Sequence, residues 1–276
     1  MTSNVFCALI LLTLSTYAHA ARWFEVEFIA FEQEPNAQLR EDFTLDTTPF
    51  KVKNELDILT EGFNRIGQKA CLERNNIRDE SLLSLDSGQQ SPVCPFSVDY
   101  TQEWDVLPVS PSARVQDHMD HLYLLDSSQL TMQDALAKLK RKGLKPILHT
   151  GWRFSEQSER RAPNIVIYGG KRFRGLVSSE AVQNTIRGDG YAGLVQPEFS
   201  AVTHKEPDLW QLQGFMKIHV RHYLFITSQF DYRYRNNQSE IETARFSQYT
   251  RVYSGDIHYL DHPKMGMIIQ IRKFKH

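Results

Sequence analysis

The clearest alternation of apolar and polar residues lies between residues 209 and 235. Every even position from Trp210 to Val220 is apolar or glycine, and the same parity continues from Leu224 to Tyr232. A period of two with β-branched and aromatic residues predicts strand. One strand of that length would reach about 80 Å, too long for a compact domain. The pattern therefore predicts two antiparallel strands joined by a turn around Val220-Arg221-His222.

A second alternation opens the region after residue 21. In residues 22–31 the even positions from Phe24 to Ala30 are all apolar, whereas Glu25 and Glu27 occupy odd positions. This pattern predicts a strand with one dry face and with the two glutamates on a wet face. Further strands are expected at 145–153, 165–168, 241–253 and 267–274. Consecutive strands with short links favour an antiparallel meander in the C-terminal part of the chain.

Two segments have helical periodicity instead. Apolar residues recur every three to four positions within 51–86, at Leu56, Leu59, Phe63 and Ile66. A second helix is expected over 131–143, with Thr131 as N-cap, basic residues in the last turns and a terminal glycine. The prediction is an α+β fold dominated by an antiparallel β-sheet, mainly the C-terminal meander, with a few packed helices. Repeated βαβ units and a glycine-rich phosphate loop are absent from the sequence, which disfavours a nucleotide-binding fold.

The N-terminal residues predict export. An apolar run of about ten residues, Val5 to Leu14, is too short to span a bilayer, which takes about 20 residues. It is followed by the small-x-small site Ala18-His19-Ala20, as in a cleaved signal peptide. We expect a signal over 1–20, no further membrane span, an N-terminal region over 21–112 that ends in a Pro/Ser-rich connector, and a C-terminal region over 113–276. The alternative is that these two regions form one domain.

Cysteines and charge narrow the possibilities further. After removal of the signal two cysteines remain, Cys71 and Cys94, which form a plausible disulfide in an oxidising compartment. Two unpaired thiols are the alternative.

Residues 21–110 contain 17 acidic and 8 basic side chains, whereas residues 210–276 contain 5 acidic and 10 basic side chains. The basic surplus indicates either an anionic partner or neutralisation within the fold. An exported chain with a pI near 6.8 is not expected to bind nucleic acid.

The segment His149-Thr-Gly-Trp-Arg153 is one candidate binding element. Gly151 permits a close backbone approach or a bulge, Trp152 offers a stacking face, and the Arg153 guanidinium matches a carboxylate. The alternative is that Trp152 packs in the core and Arg153 forms a salt bridge.

The segment SGDIHYLDHP, residues 254–263, is the other candidate. In a helix, His258, Asp261 and His262 would share a face and could bind a metal. Pro263 disfavours a helix at His262, and a strand would instead place His258 opposite Tyr259 and Asp261. A braced turn at a strand end is therefore favoured over a binding surface, and a metal site is the least favoured alternative.

Sequence motifs of catalysis are absent: serine does not occur in GxSxG or SxxK spacing, and HExxH does not occur. We therefore expect a non-catalytic protein without cofactor or metal. A carboxylate pair that meets only in space remains open as a glycosidase site. The alternative function is a wall hydrolase or metal-dependent enzyme, which would use His149, His258, Asp261 and His262.

Four segments occur together in this order: WFEVEFIAFE, LTMQDALAKLKRKGLKPILHTGWR, LQGFMKIHVRHYLFI and SGDIHYLDHPKMGMIIQI. In these the chain resembles the CsiV peptidoglycan-binding family of exported cell-wall proteins. The family's hallmark run matches at Ser254, Asp256, His258, Tyr259, Asp261, His262 and Pro263, and Arg251 is the basic residue kept just upstream.

The resemblance implies a periplasmic, non-catalytic protein of cell-wall biogenesis. Such a protein would bind peptidoglycan and support a penicillin-binding protein through an outer-membrane lipoprotein activator, with an effect on cell shape. The candidate ligand-binding residues are His149, Trp152, Arg153, Arg251, His258, Tyr259, Asp261 and His262.

Overall fold

The computed structural model describes residues 22–33, 50, 52–75, 93–173 and 209–275. The predicted signal peptide, the first part of the Pro/Ser-rich connector and residues 76–86 of the region predicted to be helical lie outside these ranges. The described chain forms ten strands and two α-helices, together with 3-10 turns at Tyr100–Glu103 and Ser127–Gln129.

The elements follow in chain order, and all strands except β2 and β3 are six residues or longer. They are β1 (Trp23–Glu32), β2 (Glu55–Leu56), α1 (Leu59–Arg74), β3 (Tyr123–Leu124), α2 (Gln133–Arg141), β4 (Lys145–Ser155), β5 (Asn164–Phe173), β6 (Leu209–Val220), β7 (Leu224–Arg235), β8 (Ile241–Val252), β9 (Ile257–His262) and β10 (Met265–Phe274).

The strands form two five-stranded sheets. The first has the order β3-β4-β1-β10-β9, and β1 pairs antiparallel with β10 along its whole length, from Trp23 opposite Phe274 to Glu32 opposite Met265. On its other side β1 pairs with β4. Strand β1 is therefore the central strand of its sheet. Both regions expected from the sequence, 21–112 and 113–276, contribute strands to this sheet.

The second sheet has the order β2-β5-β6-β7-β8. The predicted fold-back is confirmed, because β6 ends at Val220, β7 begins at Leu224 and the two strands pair antiparallel. Strands β5 to β8 form the expected meander. The chain then crosses to the first sheet, so β9 and β10 do not extend that meander. Sequence spacing predicted the hairpins but gave no signal for this crossing.

The main core lies between the two sheets. Phe28 of β1 stacks on Phe230 of β7 with ring centroids 6.1 Å apart, and both side chains are fully buried. Trp152 of β4, Ile167 of β5 and Met216 of β6 fill the same layer. These residues come from the apolar parity of each strand, since alternate side chains of a strand point to one face of the sheet.

The opposite face of β1 is also buried, which corrects the prediction of one dry face. Ile29 and Phe31 pack beneath α2 against Met132, Leu136 and Leu139. Helix α2 begins at Gln133 with Met132 at the N-cap, so the prediction of Thr131 as N-cap is wrong. The helix ends as expected before Gly143, whose φ of +77° is a left-handed conformation that glycine adopts without strain.

Helix α1 lies within the predicted region but starts later. Leu59 and Phe63 are buried as its periodicity predicts, whereas Leu56 belongs to β2 and is 36% exposed. The predicted disulfide is confirmed: Cys71 near the end of α1 is bonded to Cys94. The two cysteines are 23 positions apart in sequence, and the bridge holds the following connector against the helix.

Candidate functional site

The His149–Arg153 segment lies in the middle of β4 and is buried throughout. Trp152 is only 1% exposed and packs in the core between the sheets, so its ring presents no stacking face to solvent. A Cβ on Gly151 would lie 2.6 Å from the carbonyl oxygen of Val26, so the predicted close approach is to the neighbouring strand β1. The structure thus corrects the expectation of an exposed element and matches the alternative of core packing with an arginine ion pair.

His149 and Arg153 contact the two glutamates of β1. Nε2 of the fully buried His149 lies 2.8 Å from Oε1 of Glu27, and Nε of Arg153 donates to Oε2 of Glu25 at 2.8 Å. Arg272 of β10 donates to Oε1 of Glu25 at 2.5 Å. Glu25 is 9% exposed and Glu27 0%, so the prediction of a wet face is wrong. They are buried because β4, β10 and α2 supply cations and N–H donors to that face.

Glu27 also joins the strand to helix α2. Its carboxylate accepts hydrogen bonds from the backbone N–H of Thr131 at 2.9 Å and of Met132 at 2.7 Å. Burial alone would raise the pKa of Glu27, but the hydrogen bonds from His149, Met132 and Thr131 outweigh it, and the pKa lies below its ordinary value. The carboxylate stays ionised, and it accepts from the backbone N–H of the N-cap residue and of the residue before it, which ties the start of α2 to β1.

Arg153 is held in a similar way. Burial by itself would lower the pKa of its guanidinium, but hydrogen bonds with Tyr123 and Glu25 raise it above the ordinary value. The guanidinium carbon also lies 3.8 Å from the centroid of the Phe274 ring. This arginine therefore makes its contacts within the protein, and the two glutamates are engaged by cations rather than open to a substrate. This face of the first sheet stabilises the fold.

The hallmark segment 254–263 forms a turn, the edge strand β9 and the start of a hairpin. Leu260 and His262 are buried, whereas Tyr259 and Asp261 point to solvent, so the predicted alternation is confirmed. The Tyr259 hydroxyl lies 2.9 Å from an oxygen of Asp261 and from one of Gln33, and its ring stacks on Phe31. Burial and the Asp261 carboxylate raise the pKa of Tyr259 to about 12.

The two histidines of this segment brace turns. Nε2 of His258 accepts from the backbone N–H of Tyr253 at 3.3 Å, and Nδ1 of His262 accepts from the N–H of Lys264 at 3.2 Å. Asp261 lies on the opposite face of β9, so the three side chains considered as metal ligands do not converge. Within the described parts of the chain, no group of three or more His, Cys, Asp and Glu side chains could hold a metal ion.

Arg251 lies at the end of β8, just before this turn, and is exposed. Its guanidinium carbon is 4.8 Å from the ring centroid of Tyr223 and 5.6 Å from that of Tyr253. Tyr223 is 37% exposed, Tyr253 48% and Tyr249, two residues before Arg251, 57%. We refer to Tyr223, Tyr249, Arg251 and Tyr253 as the tyrosine surface.

A stack of rings continues this surface across the second sheet. Tyr249 of β8 stacks on Phe225 of β7 at 5.6 Å, and Phe225 stacks on His219 of β6 at 5.3 Å. Burial lowers the pKa of His219, which is therefore uncharged at neutral pH. The result is a row of stacked rings that runs from the buried His219 to the exposed Tyr249, beside Arg251. Flat aromatic faces beside a guanidinium suit a ligand that combines an apolar or sugar face with an anionic group.

Arg251 was a candidate from the sequence, whereas the three tyrosines were not. Tyr249 and Tyr253 share the parity opposite to the core residues of β8, and alternation alone marks such positions only as facing solvent. The approach of Tyr223 depends on Phe225 pairing with Arg251 in the β7–β8 register. The usable signal was local: Tyr249, Arg251 and Tyr253 are spaced by two along the chain, which places them on one face of a strand.

The described residues contain no helix that is both long and apolar enough to cross a bilayer. Their fold and site define a two-sheet α+β protein with an open aromatic and basic surface and a buried ion-pair network. The chain belongs to the CsiV family, described as "Peptidoglycan-binding protein, CsiV", whose match covers residues 4–274. Neither a curated protein nor a solved structure matches the chain.

Proposed function

We propose that this chain is a periplasmic, non-catalytic peptidoglycan-binding adaptor. In this role it supports wall synthesis by a penicillin-binding protein through an outer-membrane lipoprotein activator, and thereby cell shape. The family match over residues 4–274 is the observation that carries the proposal. The signal-like residues 1–20 support export, and the exposed basic and aromatic groups near the hallmark segment support contact with a polymer that has sugar rings and peptide carboxylates.

The candidate residues divide into two groups by accessibility. Arg251 of β8 and Tyr259 and Asp261 of β9 are exposed, and we propose them as contact residues. His258 and His262 hold the turns that present them. His149, Trp152 and Arg153 are buried, so we assign them an indirect role in keeping the first sheet intact.

Sedimentation with isolated sacculi tests the binding. The purified exported protein should pellet with sacculi and remain in the supernatant without them. Binding should weaken as salt rises, because the proposed contacts include exposed charges. Failure to pellet at both low and high salt would remove the proposed function.

A second assay tests the adaptor role and separates it from catalysis. Glycan polymerisation by the penicillin-binding protein should increase when the chain is added, and only if the lipoprotein activator is present. The same sacculi should release no soluble fragments after incubation with the chain alone. Fragment release, or a stoichiometric zinc in elemental analysis, would favour the hydrolase alternative instead.

A further inference from the structure

We infer that Arg251 is the anion-binding centre of the tyrosine surface and that its ligand is a free carboxylate of the peptidoglycan stem peptides. The inference rests on the proposed function and adds the chemical group that is recognised and the residue that binds it. Family membership names the polymer but specifies neither.

The position of Arg251 is fixed before any ligand arrives. Its guanidinium carbon lies within 6 Å of the ring centroids of Tyr223 and Tyr253, the range of cation–π attraction. The two tyrosines come from different places, the β6–β7 turn and the end of β8, and their rings contact each other as well as the arginine, which restricts its movement. Tyr253 is itself held by the hydrogen bond from its N–H to His258. Less side-chain freedom is therefore lost when a ligand binds.

Among the residues that the structure describes, no carboxylate forms an ion pair with Arg251. The structure gives it no ion pair with Asp256, which is in the adjacent turn, or with any other described acidic residue. Arg221 provides the contrast at the same end of the second sheet: it is also exposed, but its Nη2 lies 2.7 Å from Oε2 of Glu159. The guanidinium of Arg251 can therefore offer its charge and its N–H donors to a ligand, whereas the guanidinium of Arg221 is already paired with Glu159.

Carboxylate is the anion that fits both this arginine and the polymer. Guanidinium donors pair with a carboxylate in a planar, bidentate manner, and such charge-assisted bonds are stronger than neutral ones. The sugars of peptidoglycan are neutral, whereas its stem peptides carry free carboxylates. The exposed ring of Tyr249 and the adjoining Phe225 provide a flat surface for the uncharged atoms next to that carboxylate.

The test compares three insoluble or polymeric probes in the same binding assay. The first is untreated sacculi, the second is sacculi whose carboxylates have been converted to methylamides, and the third is peptide-free glycan strands whose lactyl carboxylates have been converted in the same way. The full chain is compared with Arg251→Ala, with Arg251→Lys and with Arg221→Ala as the matched control. Thermal unfolding of each variant verifies that it is folded.

Loss of a charge-assisted hydrogen-bonded pair should weaken binding of Arg251→Ala to untreated sacculi by about 10-fold. Arg251→Lys keeps the positive charge but loses the paired N–H donors of the guanidinium, so its affinity should lie between those of Arg251→Ala and the unchanged chain. The affinity of Arg221→Ala should be within about twofold of that of the unchanged chain. The unchanged chain should bind amidated sacculi as weakly as Arg251→Ala binds untreated ones. On amidated sacculi the Arg251→Ala substitution should have no further effect.

Equal binding of the unchanged chain to untreated and amidated sacculi would overturn the inference, as would preferential binding to peptide-free glycan strands. The inference would also fail if Arg251→Ala and Arg221→Ala lost affinity equally, because the effect would then be general electrostatics. In each of these cases the chain still binds peptidoglycan and the proposed function stands. Binding to none of the three probes would instead refute the proposed function itself.

Discussion

Two regions of this protein combine the same residue types and use them in opposite ways. In β4, His149, Trp152 and Arg153 are at most 9% exposed, and His149 and Arg153 contact the glutamates of β1. At the end of β8, Arg251 and the surrounding tyrosines are exposed, and no carboxylate of the described residues pairs with the arginine. Composition is therefore a poor guide to a binding site here. The two regions differ in how far neighbouring elements bury them. Strand β4 lies inside its sheet, next to Glu25 and Glu27 and beneath α2, whereas β8 is an edge strand.

Among the changes that test this comparison, replacement of Trp152 by alanine should have the largest effect on stability. Emptying a fully buried tryptophan site should lower the free energy of unfolding by about 3–5 kcal/mol. Tyr253→Ala, the exposed counterpart, should change it by less than about 0.5 kcal/mol. Urea unfolding followed by tryptophan fluorescence or circular dichroism measures both. Similar losses in the two variants would mean that the distinction between a structural and an open region does not hold.

Glu27→Gln tests the ionic link between β1, β4 and α2. The neutral amide weakens the hydrogen bonds from His149 and the helix N-terminus, and we expect a loss of about 2–3 kcal/mol. Because folding lowers the pKa of Glu27, its stabilisation is complete above the ordinary pKa of 4.5 and is lost as the pH falls through the lower folded value. The stability difference between the unchanged chain and the variant should therefore narrow below about pH 4.5. A difference that stays constant between pH 7 and pH 3 would contradict this role for the carboxylate.

The two arginines should separate stability from binding. Arg153→Ala removes a buried partner of Glu25 and should cost about 2 kcal/mol in unfolding free energy, while the folded protein still binds sacculi. Arg251→Ala should cost less, about 0.5–1 kcal/mol, because it loses only cation–π contacts at an exposed site. Denaturant unfolding and sacculus sedimentation of the same two samples give the comparison. Reversed effects, with Arg251→Ala the less stable variant, would argue against the assignment of both regions.

The smallest effect is expected from the rings around Arg251. Tyr223→Leu removes one cation–π partner, worth about 0.5–1 kcal/mol at an exposed site, so affinity for untreated sacculi should fall about two- to fivefold. Tyr223→Phe keeps the ring and should bind like the unchanged chain. A hydroxyl contact, rather than ring contact, would be indicated if Tyr223→Phe lost as much as Tyr223→Leu.

Local patterns predicted the hairpins well, because alternation and turn residues are properties of neighbouring positions. The β6–β7 turn near Arg221 and the strand ending at Pro263 followed from such patterns. The burial of Glu25 and Glu27 did not, since a polar side chain is compatible with a wet face unless its partners are known, and here they lie more than 100 positions away. The tyrosine surface was missed for the same reason, because Tyr223 meets Arg251 only through the register of β7 with β8.

The pairing of β1 with β10 has a consequence for how this chain is made. Ribosomes deliver the N-terminus first, yet the central strand of the first sheet must wait for one neighbour until residues 265–274 have been synthesised. Long sequence separation between paired strands also slows folding itself. A stop codon at position 265 would thus leave β1 with a bare edge in the middle of its sheet, so a truncation that keeps nine of the ten described strands should yield aggregates rather than a slightly shorter protein.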